Sequence, residues 1–228
     1  MEKSRQKMQA KFSIFKITFL LVFCPFWAFS NSLNLSENID YTEISVLTCD
    51  PGSEIYSLFG HSALRIKNPE NGHDLVVNWG LFEFSESQFQ FGYDFAKGRL
   101  KYYMGIQSMS NFMVEYRRSK RGVREQILNL NNEEKLQIIY LLDENYKPEN
   151  RKYKYEFFYD NCSSRIRDIL KKVFKENLNF YKSPNSNKFT FRETIHQYLK
   201  YFPWLELGID LVLGQKIDVL VNNENLMF

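Results

Sequence analysis

The apolar residues of this 228-residue chain change their period once along its length. Up to Leu130 they recur mainly at every second position, as on a strand with one buried face. Beyond Asn131 they recur mainly at helical spacing. Residues 43–48 read as a strand, stopped by Pro51-Gly52. Residues 61–67 alternate cleanly, with His61, Ala63 and Arg65 on one face and Ser62, Leu64 and Ile66 on the other. A turn over Asn68-Pro69-Glu70-Asn71-Gly72 leads into a returning strand at 75–82, which makes a hairpin. Leu100, Tyr102 and Met104 mark another strand, and residues 124–130 and the aromatic run 153–159 two more. Asn131 with Glu134 is a capping-box pattern that opens a helix. A second helix, 162–176, carries the stripe Ile166, Ile169, Leu170, Val173 and Phe174. Thr190 with Glu193 opens a third, which Pro203 ends, and 204–213 forms a last one capped by Gly214. Strands first and helices later predict one α+β domain over residues 31–228, an antiparallel sheet packed against helices.

The charge balance narrows the partners. The formal net charge is +3, but residues 1–30 carry Lys3, Arg5, Lys7, Lys11 and Lys16 against Glu2, a net of +4, which leaves −1 for the remainder. The basic isoelectric point therefore reports the leader, and nucleic acid is not an expected partner. That leader reads as a secretory signal peptide. A basic stretch precedes an apolar core at 17–27, and Ala28 and Ser30 suit cleavage after Ser30. An uncleaved anchor is the alternative. Cys24 does not read as a lipidation site, because bulky Phe23 stands where a small residue is needed. Cleavage leaves Cys49 and Cys162 in an oxidising compartment, where a disulfide between them is the plain structural reading.

The chemical reading starts from Cys162. It falls in the first turn of a helix, on the inward face with Ile166 and Leu170. Unpaired amides and the helix dipole there favour an anion, so a thiol at this place is acidified into a nucleophile. The same amides can hold the oxyanion formed when an ester is attacked. Of the three histidines, His73 lies in a turn and His196 on a polar stretch of helix, so His61 is the candidate base on a rigid element. Asn78, on the returning strand, is the candidate to orient the imidazole. Asp160 and Asn161 are rival orienting or oxyanion groups, although either suits a helix cap equally well. Cys49 precedes a Pro-Gly turn and reads as structural. No close pair of metal ligands and no phosphate loop is present in the sequence, so neither metal nor cofactor is expected. The basic run Arg117, Arg118, Lys120, Arg121 and Arg124 reads as a solvated face, or else as a contact for anionic lipid headgroups.

Four segments together resemble a known family. They are Thr48-Cys49-x-Pro51-Gly52, then Leu58-Phe59-Gly60-His61-Ser62-Ala63-Leu64-Arg65, then Asn78-Trp79-Gly80, then Tyr159-Asp160-Asn161-Cys162-Ser163-x-Arg165-x-Arg167-Asp168. Thr190-Phe191-Arg192-Glu193 and Trp204 through Asp210 to Gly214 extend the likeness. The sequence is similar to the domain-of-unknown-function family 4105, whose members include thiol-type lipoprotein N-acyltransferases. Trp79 stands where tyrosine is common. That family resembles a circularly permuted papain-like fold, as in NlpC-type peptidases and lecithin–retinol acyltransferase, in which the histidine precedes the cysteine. The resemblance implies Cys162 as nucleophile and His61 as base. Longer members continue into membrane-spanning helices past the region of Leu226-Met227-Phe228, which reads this chain as a short or truncated form.

The expectation is an exported acyltransferase at the periplasmic face of the cytoplasmic membrane. Its acyl donor is a phospholipid and its acceptor a diacylated lipoprotein, with lipid access over Phe89, Phe91, Tyr93 and Phe95 at a membrane surface. Two alternatives stand beside it. One is a cysteine peptidase or amidase acting on peptidoglycan or peptides with the same dyad. The other is a non-catalytic exported binding module with a Cys49–Cys162 disulfide.

Overall fold

A computed structural model describes residues 35–54, 57–82, 101–179 and 188–221. The leader, the aromatic run from Phe89 to Phe95 and residues 226–228 lie outside the described residues. The architecture is α+β: six strands in one open antiparallel sheet, with five α-helices among the described residues. The strands are β1 (Glu43–Cys49), β2 (His61–Asn68), β3 (His73–Phe82), β4 (Lys101–Ser108), β5 (Val123–Ile127) and β6 (Lys152–Lys154). Their order across the sheet is β5-β1-β2-β3-β4-β6. The helices are α1 (Met109–Arg118), α2 (Asn132–Tyr146), α3 (Cys162–Phe174), α4 (Phe191–Leu199) and α5 (Pro203–Leu213).

Alternation in the central strands puts apolar residues on both faces, and each face is covered. Leu64 and Ile66 of β2, Val77 and Trp79 of β3 and Met104 of β4 pack against α2 and α3. Trp79 is fully buried and donates from Nε1 to Asn145 Oδ1 of α2 at 2.8 Å, so its polar edge is satisfied inside the core. Leu47, Cys49, Ala63 and Val76 pack on the other side against Phe112 and Tyr116 of α1. The stripe read on α3 is the one observed, with Ile166, Ile169, Leu170 and Val173 all buried. Each such side chain is worth roughly 1.5–3 kcal/mol of apolar transfer.

A second cluster joins Leu58 and Phe158 to Phe191, Ile195 and Leu199 of α4, to Ile217 and Val221, and to the inner face of α5. It explains why residues 153–159 do not form the expected strand. Pairing stops at Lys154, the chain turns through Asp160 N–H to Glu156 O at 2.9 Å, and the aromatics turn into this cluster. There Phe157 meets Phe59 at 4.9 Å between centroids, and Phe158 meets Phe191 at 4.4 Å.

Two further readings need correcting, and one helix has no counterpart in the sequence reading. Helix α1 was not anticipated, because its buried stripe is only Phe112 and Tyr116. Pro203 does not end α4, which stops at Leu199; it occupies the first position of α5, where its missing N–H costs nothing. The strand at 124–130 is β5, ending at Ile127. The capping boxes at Asn131/Glu134 and Thr190/Glu193 are both formed, and Gly214 follows α5 as its C-cap.

Candidate active site

His61 is the first residue of β2 and stands opposite Cys49 of β1 in the register. Gly60 makes this entry possible. Its φ is +76°, and a Cβ there would lie 2.8 Å from the Cys49 carbonyl oxygen. One strand over, Asn78 pairs with Ala63, two residues along β2 from His61. Diagonal reach across the sheet then puts Asn78 Oδ1 3.1 Å from His61 Nε2. Asn78 is buried, and its amide nitrogen has no hydrogen-bond partner among the described residues. The Oδ1 contact sets the tautomer: Nε2 carries hydrogen toward Asn78 and Nδ1 is left for the thiol.

Cys162 is the first residue of α3, and His61 is the strongest of the influences that lower its thiol. Asn161 is the N-cap: its side chain accepts from Ser164 N at 2.9 Å, while Ser164 Oγ accepts from Asn161 N at 2.8 Å. Ser163 Oγ donates to Ser62 Oγ at 3.0 Å in a buried contact. Two small side chains at this crossing allow the helix start to come close to the start of β2.

Electrostatics separate the two thiols. Burial pushes Cys162 up, but the charge and hydrogen bond of His61, the Ser62 backbone and the Ser163 side chain outweigh it and lower the thiol from 9.0 to about 7. Burial likewise pulls His61 down, yet Cys162 and Asn78 together hold it above its ordinary 6.5. Both shifts favour a thiolate–imidazolium pair. Cys49 goes the other way: burial raises it to about 11, only partly offset by Tyr116 and Arg121. Both cysteines are free thiols, so the disulfide required by the binding-module alternative is not formed here.

The structure brings Cys162, His61 and Asn78 together and gives Asp160 and Asn161 other work. Asp160 accepts from Arg165 Nη2 at 2.6 Å, and the Arg165 guanidinium lies 4.0 Å over the Tyr153 ring. Asn161 caps α3 and donates to Phe157 O at 2.8 Å. Asn161 thus fills the helix-cap role that was its alternative reading, and Asp160 is held by Arg165. Ser62 and Ser163 are the residues that sequence reasoning passed over; their signal was a serine directly after both the candidate base and the candidate nucleophile. Of the basic run, Arg121 is built into the fold, donating to Asp50 O at 2.8 Å and lying 4.6 Å over the Tyr116 ring, while Arg117, Arg118, Lys120 and Arg124 are exposed.

A depression of about 510 Å³ lies beside Asp160, Arg165 and Lys172, and neither Cys162 nor His61 lines it. Among the described residues no group of three or more His, Cys, Asp or Glu could hold a metal ion, and no helix is long and apolar enough to cross a membrane.

No curated protein and no solved structure matches this chain. A family model does, over residues 29–199, a span that includes every strand of the sheet, His61, Asn78, Cys162 and all of α4. The chain belongs to the Lnb N-terminal periplasmic domain family.

Proposed function

We propose that this protein is an exported thiol-dependent acyltransferase that moves an acyl chain from a phospholipid to the N-terminal amine of a diacylated lipoprotein. The observation that carries the reading is Cys162 at the start of α3, held near neutral acidity by His61, which Asn78 orients at 3.1 Å. The periplasmic family fits an exported enzyme. The order of the parts, with histidine and asparagine on strands before a helix-start cysteine, supports a circularly permuted papain-like arrangement.

The reaction then runs in two balanced halves. Cys162 Sγ⁻ attacks the ester carbonyl carbon of the phospholipid, and the amides of the first turn of α3 receive the oxyanion. Collapse breaks the C–O bond. The departing lysophospholipid oxygen takes the proton from His61 Nδ1, leaving an acyl-Cys162 thioester and a neutral imidazole. In the second half the free α-amine of the lipoprotein attacks the thioester and passes a proton to His61. The C–S bond breaks, an amide forms, and the thiolate–imidazolium pair returns. Asn78 keeps the ring in one orientation while its charge changes.

The test is mass spectrometry of the N-terminal peptide of a diacylated lipoprotein after incubation with phospholipid. Wild-type protein should add one acyl mass, and Cys162→Ala none. Release of free fatty acid or of a cleaved peptide, without transfer, would move the assignment to hydrolysis by the same pair.

A further inference from the structure

Helix α5 is apolar on two sides. Leu205, Ile209 and Leu213 pack into the second cluster. Trp204, Leu207 and Leu211 recur at i, i+3 and i+7 and stand 84%, 51% and 76% exposed. Gly208 lies on the same outer face, where a Cβ would meet nothing within 4 Å. Tyr201 and Phe202 extend the exposed surface just before the helix. Contiguous apolar surface of this kind marks a contact with another phase or another molecule.

Charge decides which. The two acids of α5 are engaged toward α4 rather than free on this face. Asp210 accepts from Arg192 Nη1 at 2.5 Å and lies 3.0 Å from His196 Nε2, and Glu206 lies 3.5 Å from His196 Nδ1. The exposed lysines Lys200 and Lys216 flank the patch at its two ends. A second copy packed on this face would bring lysine against lysine with no free carboxylate between them among the described residues of α5. Aromatic residues at one end, leucines along the face and cations at both ends are instead the chemistry of a helix lying in an anionic bilayer surface.

We infer that the outer face of α5 seats the protein on the anionic surface of a phospholipid bilayer. This deepens the acyl-transfer reading, on which its purpose rests. The cluster beneath α5 also holds Leu58, Phe59, Phe157 and Phe158, the residues that lead into His61 and Cys162. A bilayer engaged by the outer face therefore lies one packed layer from the two segments that carry the nucleophile and base.

The experiment uses the full chain with vesicles of phosphatidylcholine and phosphatidylglycerol brominated in their acyl chains, with no lipoprotein present. Trp79 is buried, and Trp204→Phe isolates the Trp204 contribution by difference, whatever the leader does. Trp204 emission should be quenched in the wild-type protein. Quenching should fall roughly threefold in Leu207→Gln/Leu211→Gln, and by a similar factor when phosphatidylglycerol is left out. Cys162→Ala should be quenched like wild type, and wild-type protein that is quenched yet transfers no acyl chain once a diacylated lipoprotein is supplied would sink the acyltransferase reading alone. Unquenched Trp204 in protein whose Cys162 still forms an acyl adduct would overturn the surface alone. A concentration-dependent dimer that shields Trp204 without lipid would also overturn it, in favour of a second copy.

Discussion

Cys49 and Cys162 share a neighbour, His61, and differ sharply in acidity, at about 11 and about 7. Cys49 sits mid-sheet against Tyr116, where burial dominates. Cys162, at a helix start, has its burial outweighed by His61, the Ser62 backbone and Ser163. The sign of the pH dependence follows. A thiol lowered from 9.0 to about 7 is mostly protonated below that value and mostly thiolate above it, so alkylation by iodoacetamide should rise through an inflection near 7. His61→Ala removes the charge and the hydrogen bond that lower the thiol and leaves the burial that raises it. Its inflection should move well to the alkaline side of 7, with the Ser62 backbone and Ser163 left as the remaining lowering groups. Its rate at neutral pH should fall at least ~10-fold, since each pKa unit is a factor of ten in thiolate. Asn78→Ala removes one of the groups that raise His61, so the same inflection should shift in the same direction by less. Mass-resolved alkylation over a pH series measures all three proteins, and an inflection unmoved in His61→Ala would refute the pair. Cys49 should stay unmodified until well into alkaline pH.

At the scale of elements, the site depends on how the chain enters β2 and α3. Gly60 and Gly72 both have positive φ, +76° and +66°, but only Gly60 is enclosed, by the Cys49 carbonyl. Gly72→Ala should therefore cost about 1 kcal/mol, the strain of a left-handed non-glycine residue. Gly60→Ala should cost about 2–3 kcal/mol, because the backbone must also move. Urea denaturation of the two variants separates strain from collision, and equal losses would contradict the difference. Most of this frame was legible in sequence, because alternation at 61–67 and the 3.6 stripe on α3 are strong local signals that tertiary packing did not override. So were the capping boxes, which are short-range hydrogen bonds between residues three apart. The run Tyr153 to Tyr159 was not: aromatic content fits a strand and a cluster equally, and only the partners Phe59 and Phe191, distant in sequence, decide. Asp160 misled for a similar reason, since a carboxylate beside a candidate nucleophile gives no hint that Arg165 has already claimed it.

Across the whole molecule, two apolar clusters meet the site from different sides. The first holds the sheet to α2 and α3; the second holds α4 and α5 to the segments before His61 and Cys162. Cavities in the two should therefore have similar energetic cost and different chemical consequences. Ile138 of α2 is fully buried in the first cluster, and Phe158 is buried in the second, four residues before Cys162. Ile138→Ala should lower unfolding free energy by about 2–5 kcal/mol and Phe158→Ala by about 3–5 kcal/mol, because each leaves a void in a packed region. Both variants would be compared under conditions where the folded state predominates. Ile138→Ala should retain the inflection of Cys162 alkylation near 7, because α3 keeps its cap and its contact with β2. Phe158→Ala should shift that inflection alkaline. The turn from Glu156 to Asp160 loses its anchor on Phe191, and the helix start can move away from His61. Paired denaturation and alkylation curves read both effects on the same samples. An equal alkaline shift in the two variants would mean that thiol acidity merely tracks global stability. A shift confined to Phe158→Ala would make the α4–α5 cluster the part of the fold that sets the distance between nucleophile and base.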